Sequence, residues 1–145
     1  MTRSHAAERD LLAQACRVLA ARGLADGFLG HVSLRVDEEL LLIRCRGRNE
    51  RGLAATVPAD IRLVTLEGAA GSPGELDGWN PPNELPLHSE ILRARPDVAA
   101  VVHAHPARVV AADLAGLGIR PSSAPTTSPA PGSPPVGCRC TRAPH

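Results

Sequence analysis

Between residues 4 and 22, apolar side chains recur at Leu11, Leu12, Ala15, Val18 and Leu19. That is the spacing of an amphipathic helix, with Ser4 placed to cap its start and Gly23 to stop it. The period then shortens. Residues 31–36 alternate apolar and polar, 40–45 form a short apolar run, and 61–66 form a third such segment, with Gly-rich and charged turns between them. These predict strands of one sheet. Residues 68–83 are rich in turn formers and predict a surface loop with little to bury, leading to a helix over 84–95 that Pro96-Asp97 ends. Residues 98–102 read as a buried strand running into His103-Ala104-His105-Pro106, and 107–114 as a further helix. The pattern predicts an α/β or α+β body with one core, since 145 residues are too few for two ordinary domains.

After Arg120 the pattern stops. Seven of the fourteen prolines fall in residues 121–145, which contain no Leu, Ile, Phe, Asp or Glu. Such a segment cannot bury enough apolar surface to offset its ordering entropy, so a body over 1–120 and a disordered Pro/Ser-rich tail over 121–145 are expected. Back-translation offers a specific origin for the tail. In the frame one base earlier, residues 121–129 admit codons for Pro-Val-Phe-Gly-Ala-Tyr-Asn-Ile-Pro, and residues 138–142 regain apolar and aromatic character in the same frame. The expectation is a frame error that truncates the domain, refutable by a coding strand that cannot supply those codons.

Charge excludes some functions. The formal net charge is +1, the basic residues are all Arg and are scattered among Asp and Glu, and only Phe28 and Trp79 could stack on a base. No nucleic-acid footprint is visible. No signal segment and no bilayer-length apolar run appears, so a cytoplasmic protein without a membrane partner is expected. Cys16 and Cys45 are far apart, and Cys138 and Cys140 lack a second pair, which supports neither a disulfide framework nor a zinc ribbon.

The candidate chemistry gathers late in the chain. His103 and His105 stand two apart at the end of a predicted strand, which puts both rings on one face at a spacing that can share a cation. Two packed or solvated histidines are the plain alternative. Glu84 opens the preceding helix, where its carboxylate can lie near the same site and relay protons, or can simply favour the helix dipole. His88 lies one turn beyond it on the same face. Arg44, Arg46, Arg48 and Arg51 surround Gly47, and guanidinium forks suit planar carboxylates, although a solvated loop would look the same.

Taken in order, Gly30-His31-Val32-Ser33, Asp60-Ile61, Pro82-Asn83-Glu84-Leu85-Pro86-Leu87-His88, Arg93-Ala94-Arg95-Pro96-Asp97-Val98 and His103-Ala104-His105-Pro106 resemble the class II aldolase/adducin family over about residues 8 to 120. The resemblance implies an αβα fold around a central, largely antiparallel sheet, and a homotetramer with sites near subunit boundaries. It implies a divalent metal, zinc before manganese or iron, held by His103 and His105. The family's third histidine ligand lies far downstream and has no counterpart here, and His145 is not assigned to it. Glu84 would be the catalytic acid/base, and His31, Ser33, Arg46, Gly47 and Asn83 would face a small-molecule substrate.

Where family aldolases hold a sugar phosphate with Asn, Ser-Gly and serines, this chain has His31, Arg46-Gly47 and Pro82-Asn83. It therefore resembles more closely the branch that decarboxylates hydroxylated aromatic dicarboxylates such as a dihydroxyphthalate. A cation chelated by adjacent substrate oxygens would stabilise the charge left when a carbon–carbon bond breaks. The alternatives are a sugar or sugar-phosphate aldolase, and a non-catalytic adducin-like interaction protein. Against the latter stands the joint presence of Glu84, His103 and His105. Without a third ligand, this chain itself is expected to be weakly active or inactive.

Overall fold

The computed structural model describes residues 5–118. The cap expected of Ser4 and the tail expected over 121–145 both lie outside the described residues. In chain order the elements are α1 (Ala6–Ala21), β1 (His31–Arg35), β2 (Leu40–Arg44), two short 3-10 turns (Leu53–Ala55 and Pro58–Asp60), β3 (Ile61–Thr65), α2 (Leu85–Ala94), β4 (Ala100–His103) and α3 (Ala107–Leu114).

Helix α1 begins after His5, which makes no side-chain cap. It ends as its glycine predicts. Gly23 takes φ +64, its N–H bonds to Ala20 O, and Leu24 N–H bonds to Leu19 O, the paired closure of a Schellman turn. The buried stripe differs from the expected one. Leu12, Ala13 and Cys16 are buried, whereas Leu11 and Val18 are exposed. The smaller Ala13 and Cys16 let the helix sit close on the sheet, a choice that spacing among large residues alone does not reveal.

The four strands form one sheet in the order β3-β2-β1-β4, antiparallel throughout. A helix covers each face. On the α1 face lie Leu12, Cys16, Val32, Leu42, Leu53, Ile61 and Leu63; on the α2 face lie Leu41, Ile43, Cys45, Val64, Leu85, Leu92 and Val101. Strand β2 is central and covered on both faces, which explains its unbroken apolar run. The fold is the αβα arrangement around an antiparallel sheet that the family resemblance implies.

Two local expectations change. Strand β4 starts at Ala100 rather than 98, because the carbonyl of Val98 accepts from the Arg35 side chain, which also takes the carbonyls of Leu92 and Arg95 at the end of α2. The long loop before α2 buries more than expected. Leu76 and Trp79 pack against the α2-side core, Glu75 accepts from Leu63 N–H and pairs with Arg9, and Asn80 bridges Arg46 through the backbone. The loop thereby becomes a flap on the sheet edge and on the Arg46-Gly47 turn.

Candidate active site

The pleat decides what the α2 face carries at its β1–β4 end. Val32 points to α1, so His31 and Ser33 point to α2; Val101 points to α2, and so does His103. Antiparallel pairing sets His31 opposite His103, with ring centroids 5.7 Å apart. Gly30 makes this register possible. It adopts φ +87, and a Cβ there would lie 2.8 Å from Ala25 Cβ and 3.1 Å from the carbonyl oxygen of His103.

His105 follows the strand and is held by a hydrogen bond from its N–H to Leu24 O. The rings of His103 and His105 then meet, Nε2 to Nε2 at 2.6 Å. With one proton on Nε2, one ring donates to the other; with both protons on Nδ1, both lone pairs face a common point, as they would toward a cation. Among the described residues, no three or more His, Cys, Asp and Glu side chains cluster closely enough to hold a metal ion.

Glu84 occupies the N-cap position of α2, yet its carboxylate caps nothing. It extends instead to within 3.9 Å of His31 Nε2 and 3.6 Å of an Arg46 guanidinium nitrogen, and its Oε2 is buried without a hydrogen-bond partner. Its own backbone N–H, followed by the neighbouring His31 and Arg46, holds the carboxyl below its usual range against the opposing effect of burial. At neutral pH it is a carboxylate.

Of the four arginines around Gly47, the fold selects one for Glu84. Arg44 is buried and committed to Glu50 and Thr56 Oγ1. Arg48 and Arg51 line a separate open depression with Asp60, Asp77 and Trp79. Arg46 alone of the four pairs with Glu84, and with Phe28, Leu29, Gly47 and Glu50 it lines an open recess of about 410 Å³. Gly47 itself lies under the Trp79 ring, which a Cβ would meet at 2.7 Å, so its lack of a side chain is first a packing need.

The remaining expected residues divide. Asn83 is exposed in the turn before Glu84. Ser33 is fully buried, and its hydroxyl sits 2.8 Å from His88 Nδ1, so it faces a histidine and not an open surface. His88 itself, placed by the sequence one turn beyond Glu84 but given no role, is also fully buried. Burial lowers the pKa values of His31 and His88 to about 4, for His31 against the attraction of Glu84. Both are neutral at pH 7. That Phe28 and Leu29 would line the recess beside Arg46 was not legible, because two exposed apolar residues in a turn carry no periodic signal.

A family model for the class II aldolase and adducin N-terminal domain matches residues 10–136. The chain belongs to the class II aldolase/adducin family. The 3,4-dihydroxyphthalate decarboxylase of Terrabacter sp. (strain DBF63) is 72% identical over 121 residues, covering 83% of this chain and 51% of that protein. The enzyme of the same name from Arthrobacter keyseri is 67% identical over 119 residues, covering 81% and 48%. Among solved structures, L-fuculose 1-phosphate aldolase from Glaciozyma antarctica PI12 superposes with a TM-score of 0.60 at 25% identity, over 70% of this chain and 41% of that one. The chain thus spans about half the length of the curated relatives it matches. No helix among the described residues is long and apolar enough to cross a membrane.

Proposed function

We propose that this chain carries the metal-binding half-site of a carbon–carbon lyase that removes one carboxylate from a hydroxylated aromatic dicarboxylate of the 3,4-dihydroxyphthalate type. The observation that carries the reading is the convergence of His103 and His105 Nε2 at 2.6 Å beside a carboxylate, Glu84, that makes no cap and has an unpartnered oxygen. The two imidazole nitrogens suit zinc, manganese or iron as donors, with zinc the first choice, and the remaining ligands would come from outside the described cluster. When bound there, the ion would polarise adjacent substrate oxygens and stabilise negative charge.

The chain's own residues account for the rest. Glu84, ionised at neutral pH, accepts the proton of the substrate hydroxyl beside the departing carboxylate. The carbon–carbon bond then breaks, carbon dioxide leaves, and the electron pair stays on the ring carbon. Glu84 returns its proton to that carbon, and the phenolate recovers one from water. Arg46 pairs with the carboxylate that remains, Phe28 and Leu29 offer an apolar wall for the ring, and His31 steadies Glu84. Asn83 and Gly47 border the same approach.

A homotetramer is part of this proposal. Helix α3 buries none of its residues and presents Val109, Val110 and Leu114, the kind of apolar surface that assembly covers. So are a division of the chain near residue 120 and a cytoplasmic location. Metal analysis of the purified protein, together with carbon dioxide release from 3,4-dihydroxyphthalate with added zinc or manganese, tests the assignment. Metal bound by the protein and lost in His103→Ala is expected; equal metal content in that variant would remove the assignment.

A further inference from the structure

Three buried polar atoms near the site have no hydrogen-bond partner: His31 Nδ1, His88 Nε2 and Glu84 Oε2. Buried polar groups are nearly always satisfied, and a site that strands three together calls for a missing partner. His88 is the most enclosed, with no exposed surface, and its ring stands edge-on to His31 with centroids 6.1 Å apart at 71°. At that separation no nitrogen of one ring can hydrogen-bond directly to a nitrogen of the other, so a link between them needs a third group.

The direction of each bond follows from Ser33. Its hydroxyl has His88 Nδ1 as its hydrogen-bond partner. Were His88 to donate from Nδ1, the serine proton would have no acceptor and His88 Nε2 would be a bare lone pair, leaving two groups unsatisfied. With Ser33 donating to Nδ1, His88 must carry its proton on Nε2, and one group, that N–H, seeks an acceptor.

We propose that one buried water joins His88 Nε2 to His31 Nδ1, so that Ser33, His88, the water and His31 form a single donor chain aimed at Glu84, with His88 as its positioning residue. The water accepts from His88 Nε2–H and donates to His31 Nδ1. His31 therefore carries its proton on Nε2, the nitrogen 3.9 Å from Glu84 Oε2, and presents a donor to the carboxylate. The contact is long for a hydrogen bond and is an electrostatic approach in this structure. In its neutral form each ring keeps one donor and one acceptor. That the chain ends on a catalytic group rests on the reading above; the tautomers do not.

Long-range ¹H–¹⁵N correlation of histidine-labelled full-length chain at pH 7, with chelator and without substrate, reads the tautomers directly. Protons on Nε2 of both His31 and His88 are expected. His88→Leu should cost His31 more than half of its Nε2–H population, while His88→Gln, whose amide can still donate, should retain it. Ser33→Ala should release His88 into a mixture of tautomers. A proton on His31 Nδ1 in the wild type, or an unchanged His31 in folded His88→Leu, overturns the proposal. Should His88→Leu fail to fold, the wild-type and Ser33→Ala spectra decide it alone. The readout needs neither metal nor turnover, so failure of the lyase assignment would leave it unaffected.

Discussion

The two faces of the sheet are covered by similar means and finished differently. Under α1 the contacts among Leu12, Cys16, Val32, Leu42, Ile61 and Leu63 are apolar, and the buried polar groups at their edge are paired, Arg44 with Thr56 Oγ1 and Glu50. Under α2 the same kind of packing covers β2 and β3 through Ile43, Val64, Leu85 and Leu92, but the β1–β4 end holds His31, Ser33, His88 and His103. One face meets its buried side-chain donors and acceptors largely from within. The other accepts buried, unpartnered polar atoms, which weaken a fold unless something held there satisfies them.

The largest effect should come from the apolar face. Leu42→Ala, at a fully buried position, should lower stability by about 2–5 kcal/mol in chemical denaturation. A loss below about 1 kcal/mol would mean that this face is not the anchor of the fold.

Acid should act next, and on the other face. The folded pKa values of His31 and His88 are about 4, below the 6.5 of a free imidazole, so the unfolded chain takes up protons that the folded one refuses. Stability from these two groups is complete above pH 6.5 and is lost as the pH falls toward 4. Thermal melts at pH 7.5 and 4.5 should differ accordingly, and His88→Gln should shrink the difference. An equal pH response in that variant would acquit His88.

Gly30→Ala probes the junction of the faces. A left-handed φ and contacts at 2.8 and 3.1 Å predict a loss of about 1–3 kcal/mol, with the His31–His103 register disturbed. A variant as stable as the parent would show that the turn can relax. Glu84→Gln should matter least to folding. Its carboxylate caps nothing, so stability in chemical denaturation should change by no more than about 0.5 kcal/mol, while whatever carbon dioxide release the parent chain supports is lost. A large stability change would make Glu84 a structural residue.

Much of this was legible in the chain because it depends on neighbours in sequence. Helical spacing, alternation and short apolar runs located the described α-helices and strands to within two residues, though not the two 3-10 turns; Gly23 announced the end of α1, and the His-x-His spacing put two rings on one face. The order of motifs from Gly30 to Pro106 pointed to the family that the comparisons then established.

Other features depended on which elements came to cover one another. Leu11 and Val18 fit the helical period as well as Leu12 does, but only contact with the sheet decided that Ala13 and Cys16 would be buried in their place. Four arginines around Gly47 look alike in sequence. Arg44 was drawn inward by Glu50 and Thr56, leaving Arg46 to face Glu84. Ser33 and His88 are 55 residues apart, and no local pattern joins them. Sequence determined the elements and the kinds of chemistry they bear, since propensity and periodicity are local. Only the tertiary structure decided which side chains meet, because burial and pairing are settled by surfaces from distant segments that each residue cannot register alone.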